Sequence, residues 1–125
     1  MGQFKTQVKV KNFIKGNEIE LEALVDTGAM YMSLPRSIIE KLGLQEGRRV
    51  NVRTTNGSIQ RRVYEGARIY IQDRSVTMDI LELPDEVPPL LGVLILDALD
   101  FIVDPITQKL APNPEHHGEY IVDMF

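Results

Sequence analysis

Side-chain alternation at period two, broken by two glycine turns, constrains this chain more than any other feature. From Phe4 to Val10, Phe4, Thr6, Val8 and Val10 fall on one face and Lys5, Gln7 and Lys9 on the other. That is the pattern of a half-buried strand. Lys15-Gly16-Asn17-Glu18 supplies a hairpin turn. The return strand puts Ile19, Leu21, Ala23 and Val25 on one face and Glu18, Glu20 and Glu22 on the other, opposite the lysines. Opposite charges across two strands contribute roughly 0.2–1 kcal/mol a pair and favour one register. A second hairpin is predicted over Val50 to Tyr64 about Asn56-Gly57. A two-residue turn there pairs Thr55 with Ser58, Val52 with Arg61 and Val50 with Val63. One face then carries Val50, Val52, Thr54, Ile59, Arg61 and Val63. The other carries Arg49, Asn51, Arg53, Gln60, Arg62 and Tyr64.

The remaining segments are shorter. Ala29 to Leu34 reads as a short strand or loop. Ser33-Leu34-Pro35 predicts a helix start, with Ser33 as cap and Pro35 in the first turn. Ile38, Ile39 and Leu42 give that helix its apolar stripe, and Gly43 ends it. Strands follow over Arg68–Ile71 and Val76–Leu83, then a loop from Pro84 to Pro89. Val93 to Leu99 is a short apolar helix after Leu90-Leu91-Gly92, and Phe101-Ile102-Val103 a buried strand. Asp104-Pro105 is a turn, and Ala111 to Gly118 a proline-rich loop. Tyr120 to Phe125 reads as an edge strand or a tail. Six or more short strands with two short helices define an all-β fold, sandwich or barrel-like.

Composition narrows the chemistry. With 125 residues, 43% of them hydrophobic, the chain is expected to form one soluble domain over 1–125. It has no cysteine, which removes disulfides, zinc–thiolate sites and cysteine nucleophiles. Its two histidines, His116 and His117, are adjacent, which leaves little for a metal site or a serine triad. No metal and no cofactor are expected. The longest mostly apolar run, Val87 to Leu96, is about half of the roughly 20 residues a membrane helix needs. Met1-Gly2-Gln3-Phe4-Lys5 has no signal-like apolar stretch. A cytoplasmic protein without a membrane partner is therefore expected.

One tripeptide carries candidate chemistry. Asp26-Thr27-Gly28 sits in Leu24-Val25-Asp26-Thr27-Gly28-Ala29, where consecutive apolar residues end the alternation. The bland reading is a turn at a strand end. The functional reading is a carboxylate at the tip of a strand buried on both faces, costly to ionise unless it is used.

Together with the Asn56-Gly57 hairpin and Leu90-Leu91-Gly92 before a helix, this order resembles the retropepsins, the single-domain aspartic proteases of retroviral type and their small prokaryotic relatives. The resemblance covers roughly residues 4–112. It implies a closed barrel-like fold with one or two short helices, completed as a C2 homodimer in which each chain gives one aspartate. Two carboxylates sharing a proton are what aspartic chemistry requires, and a two-fold axis brings identical residues together. By this resemblance, Asp26, Thr27 and Gly28 are catalytic. Thr54, Thr55, Asn56, Gly57 and Ser58 form a flap tip over the substrate. Pro88, Pro89 and Leu90, with Ala29 and Met30, meet the substrate. The substrate class is a peptide or protein.

Two departures stand out. Retropepsins of the viral kind usually carry Asp after the Ala and Arg after the second-motif Gly, where this chain has Met30 and Val93. An apolar contact is expected to replace the ion pair. The flap tip holds only one glycine, Gly57.

The charge of −4 is unevenly spread, +5 over residues 1–75 and −9 over 76–125. Arg48, Arg49, Arg53, Arg61, Arg62, Arg68 and Arg74 make a basic stretch. It reads first as a solvated hairpin face, next as an attractor of acidic peptides, and last as a nucleic-acid surface, since no aromatic interleaving accompanies it. His116-His117 reads as an exposed mobile loop, and Met30 and Met32 as core or pocket-wall residues. Asp97, Asp100 and Asp104 lack a calcium-loop pattern. An alternative to the endopeptidase is a non-catalytic retropepsin-fold dimerisation or peptide-binding module. A third reading is an unrelated β-barrel binding module.

Overall fold

A computed structural model describes residues 4–121. Strand β1 (Lys5–Asn12) and β2 (Glu18–Val25) pair antiparallel, with Val8 opposite Leu21, Lys9 opposite Glu20 and Lys11 opposite Glu18. The alternation is as expected: Val8, Val10, Ala23 and Val25 are buried, and Ile19 and Leu21 pack partly against them. The ion pair, however, forms on the diagonal, Lys9 Nζ to Glu18 at 3.5 Å. The connecting loop is longer than the predicted Lys15–Glu18 turn, because β1 runs on to Asn12. That side chain is buried and organises the loop. Its Nδ2 donates to the carbonyls of Leu42 and Gly43 at 3.0 and 3.1 Å. Its Oδ1 accepts from the amides of Ile14 and Lys15.

The expected cap at Ser33 does not form. Residues Met32–Pro35 are strand β3, buried throughout, and helix α1 occupies Arg36–Leu42. Parallel pairing with a strand 48 residues further on, Met32 opposite Ile80 through Pro35 opposite Leu83, holds this segment extended. The helix start is served instead from a distant loop: the amide of Ser37 donates to Asp85 at 2.9 Å. That bond holds the Asp85 carboxyl below the usual carboxylate range.

Strands β4 (Gln45–Thr54), β5 (Gly57–Ile71) and β6 (Arg74–Leu83) form two successive hairpins. The β4–β5 register differs by two residues from the expected one. Thr54 pairs with Gly57, Val52 with Ile59 and Val50 with Arg61. The Thr54 side chain is the cause. Its hydroxyl donates to the Gly57 carbonyl at 2.7 Å and accepts from the Asn56 amide at 3.2 Å, closing the turn one residue earlier on each side. A shift of two preserves side-chain direction, so the two predicted faces survive. Bulges interrupt the ladders between Glu46 and Arg48 and between Tyr64 and Ala67. The second lets β5 continue where two separate strands were expected.

Strand β7 is two residues long, Leu90–Leu91, and lies between β2 and β3. Helix α2 (Val93–Ala98) follows, then a hairpin of β8 (Phe101–Asp104) and β9 (Lys109–Pro112). Only Phe101 of the expected buried strand is buried; Ile102 is 37% exposed, as one side of a two-stranded ribbon must be. Part of the expected Ala111–Gly118 loop is β9, and a 3₁₀ turn spans Pro114–His116.

The seven-stranded sheet has the order β1-β2-β7-β3-β6-β5-β4, and β1 also pairs with β5 from Lys9 opposite Tyr70 to Asn12 opposite Ala67. The core inside includes Val10, Leu34, Ile69, Ile80, Leu91, Ile95 and Leu99, all fully buried. The fold is mostly β, as expected. Among the described residues no helix is long and apolar enough to cross a membrane. Of the expected edge strand or tail from Tyr120 to Phe125, residues 122–125 lie outside the described residues. Tyr120 and Ile121 form no strand.

Candidate active site

Asp26 is the first residue after β2, and three hydrogen bonds define its posture. Its amide donates to the Leu91 carbonyl at 3.0 Å, continuing the ladder that pairs Val25 with Leu91. Its carbonyl accepts from the Ala29 amide at 3.1 Å, closing a turn over 26–29. Its Oδ1 accepts from the Gly28 amide at 2.9 Å. The turn is less buried than expected. Asp26 is half-buried, and Thr27 and Gly28 are exposed. The second carboxylate oxygen and the Thr27 hydroxyl make no hydrogen bond among the described residues. The chain therefore presents an aimed carboxylate at its surface, with one oxygen held and one open.

The platform under this turn is the β7–α2 junction. The amides of Val93 and Leu94 donate to the carbonyls of Ala29 and Met30 at 2.8 and 3.0 Å. Gly92 permits that approach. A Cβ there would lie 2.3 Å from the Tyr31 carbonyl oxygen and 2.5 Å from the Met30 carbonyl. Leu24 donates its amide to Pro89 at 2.8 Å, and Leu90 lies opposite both Leu24 and Ser33. The structure thus brings Asp26, Thr27, Gly28, Ala29 and Met30 together with Pro89 and Leu90. Pro88 is exposed in the adjoining loop. Met32 is fully buried in β3, but Met30 is 58% exposed and is not a core residue.

The expected flap tip, Thr54 to Ser58, is an exposed turn. No hydrogen bond or ion pair among the described residues joins it to the Asp26 turn. A contact lower on the same hairpin does reach the site's neighbourhood. Arg48 donates to Asp79 at 2.7 Å and approaches the hydroxyl of Tyr31, and together they raise its pKa above the usual guanidinium value, Asp79 most. Sequence reasoning missed Tyr31, Arg48 and Asp79 as a group. They are far apart in the chain and carry no local pattern.

Elsewhere, much of the basic stretch is neutralised. Arg49 pairs with Glu46 at 3.1 Å, and Arg62 lies 3.8 Å from both Glu46 and Glu82. His116 is not in a free loop: its Nδ1 lies 2.6 Å from Asp100. Among the described residues no group of three or more His, Asp or Glu side chains could hold a metal ion.

Comparisons with known proteins agree with this arrangement. The family model described as "gag-polyprotein putative aspartyl protease" matches residues 10–98. That span contains the Asp26 turn, the β4–β5 hairpin and the Leu90-Leu91-Gly92 junction. No curated protein sequence matches the chain. Among solved structures, the EIAV protease complexed with the inhibitor HBY-793 is similar, with a TM-score of 0.58 and 22% identity over 76% of this chain and 86% of that one. At that identity the likeness carries the fold. With the family model spanning most of the chain and the retroviral-protease fold beneath it, this protein belongs to the retropepsin-like aspartic proteases.

Proposed function

We propose that this chain is an aspartic endopeptidase that works as a C2 homodimer, each copy giving one Asp26. The observation that carries the reading is the half-exposed Asp26 turn, with one oxygen on the Gly28 amide and the other open. A lone carboxylate cannot serve as acid and base together. A second copy across a two-fold axis supplies its equal and covers the exposed turn. Two carboxylates a few ångströms apart then share one proton, because both cannot ionise.

In the proposed reaction the ionised Asp26 takes a proton from water. The water oxygen attacks the peptide carbonyl carbon while the protonated Asp26 of the other copy gives its proton to the carbonyl oxygen. The tetrahedral diol collapses, the C–N bond breaks, and the departing nitrogen receives a proton from the pair. An acid and an amine leave. Thr27 hydroxyls would hold the two turns together across the axis. Ala29, Met30, Pro88, Pro89 and Leu90 would meet substrate side chains. Thr54, Thr55, Asn56, Gly57 and Ser58 would close over them as a flap. The strand order, with β1 meeting β5, supports reading the body as barrel-like. A cytoplasmic location belongs to the same proposal.

Digestion of a peptide library by the wild type and by Asp26→Asn across pH 3–8 tests the reading. Asn keeps an oxygen for the Gly28 amide, so the fold is expected to persist while cleavage falls by about 10²-fold or more. Cleavage that survives the substitution would refute it. Peptide binding without any cleavage would point to the non-catalytic module.

A further inference from the structure

The hairpin arginines divide by face and by partner. Tyr64, which packs against the core, shares its face with Arg62 and Arg49, opposite each other in the ladder. Both have carboxylates: Glu46 serves Arg49, and Glu46 and Glu82 serve Arg62, whose pKa is raised with the Tyr64 hydroxyl as the main cause. The opposite face runs Arg48, Val50 and Val52 on β4 against Val63, Arg61 and Ile59 on β5. Arg48, at its base, is engaged by Asp79 and reaches Tyr31, five residues past Asp26. This face is therefore the one turned toward the segment that carries the Asp26 turn.

On it, Arg61 is alone. It is half-buried, opposite Val50 and flanked along its strand by Ile59 and Val63, and among the described residues its side chain makes no ion pair or hydrogen bond. Partly covered beside apolar neighbours, its guanidinium has no counter-charge among the described residues to offset lost hydration. Among the described residues the Arg53 side chain also lacks a partner, but it is exposed and on the other face, where water serves it.

We infer that Arg61 is a specificity-determining residue, whose counter-charge is an Asp or Glu side chain of the peptide bound beneath the hairpin. The inference rests on the proposed peptidase reading and adds the substrate class. A planar guanidinium donates two parallel hydrogen bonds to a carboxylate, a fit that a single-point cation does not offer. Arg61 stands four residues from Gly57, roughly 13 Å along the arm at a strand's rise per residue. With the tip closed over the scissile bond as proposed, the acidic residue that Arg61 selects lies away from that bond.

The test profiles cleavage of a randomised peptide library by the wild type, Arg61→Gln, Arg61→Glu and the control Arg53→Gln. In parallel, fluorescence anisotropy measures binding of an acidic peptide and its Gln/Asn counterpart to Asp26→Asn protein, with and without Arg61→Gln. Expected are enrichment of Asp or Glu at one subsite, on the order of tenfold in kcat/KM and carried mainly by KM, and its loss in Arg61→Gln. Arg61→Glu should turn the preference toward Lys or Arg, which a merely structural role would not do, and Arg53→Gln should leave it in place. Cleavage that depends on Asp26 but ignores peptide charge overturns this inference and leaves the peptidase reading intact. Absence of cleavage with Arg61-dependent binding of the acidic peptide sustains the inference and refutes the peptidase. Equal binding of the two peptides overturns it whatever the activity.

Discussion

The imidazole Nδ1 of His116 lies 2.6 Å from a carboxylate oxygen of Asp100, and this contact ties the end of the described chain to the end of α2. Asp100 also accepts from the Ile121 amide at 3.1 Å and from the Asn113 side chain at 3.4 Å. These donors, His116 foremost, hold its carboxyl below the ordinary carboxylate value. A depressed folded pKa stabilises the native state above the unfolded value, about 3.9 for Asp, and that stability is lost as pH falls through the folded value. His116→Ala should therefore be less stable than the wild type above about pH 5, with the gap closing toward pH 2. Urea midpoints measured from pH 2 to 6 check this. Parallel curves for the two proteins would count against it.

Arg74 fastens the same region from beneath. It is 7% exposed. Its Nη1 donates to the carbonyls of Leu99 and Asp100 at 2.8 and 3.0 Å, and its Nη2 to Gly118 at 3.2 Å. The guanidinium sits 5.0 Å from the Phe101 ring centre and 4.9 Å from that of Tyr120, whose hydroxyl donates to Ala98. Arg74→Met keeps the stem and strips three carbonyls, two of them buried, of their donor, at a cost of roughly 3 kcal/mol. Arg74→Lys should recover only part, since an ammonium neither stacks between two rings nor spans three acceptors from a plane. Equilibrium unfolding of the three proteins decides. A loss below about 1 kcal/mol for the Met variant would show that water replaces the guanidinium.

What the sequence revealed and what it hid follow from the range of the interactions involved. The β1–β2 hairpin was legible because alternation and charge pattern agree within about twenty residues. The Asp26 turn and its glycine platform at Gly92 were legible as local motifs in a recognisable order. The β4–β5 register was missed by two because a single hydroxyl, that of Thr54, outcompetes the glycine signal for control of the turn. Ser33 to Pro35 looked like a helix start because the strand partner of this segment, Ile80 to Leu83, is remote. The exposure of Asp26 was also hidden. A run of apolar residues indicates that a strand enters the core, but not where its tip emerges.

Gly92→Ala tests whether the platform sets the posture of Asp26. The added Cβ would press on backbone atoms of Met30 and Tyr31, which cannot swing aside as a side chain can. The turn must lift or α2 must retreat. Overpacking of this kind costs about 1–3 kcal/mol. A shift near 1 Å in the position of Asp26 can lower turnover by about 10²-fold. The variant is expected to fold with a reduced melting temperature and to lose most of its peptidase activity. Full activity in a destabilised Gly92→Ala would show that the junction supports the fold without positioning the carboxylate.

Gly57 has φ +113°, a conformation costly for any residue with a Cβ, and a Cβ there would meet nothing within 4 Å. Gly57→Val therefore strains the backbone alone, by about 1–3 kcal/mol if the turn is kept. An exposed tip can relieve that strain by remodelling, so global stability should change by no more than about 0.5 kcal/mol. The remodelled tip would no longer match a bound peptide, and turnover should fall while the unfolding midpoint stays nearly constant. A lid is drawn from the low-stability end of a structure, so amides of residues 54–58 should exchange quickly in the free protein. A peptide-like inhibitor carrying a hydroxyl in place of the scissile bond should protect them in the wild type and much less in Gly57→Val. Protection already present without inhibitor, or unchanged on tight binding, would mean that the hairpin does not close over the Asp26 turn.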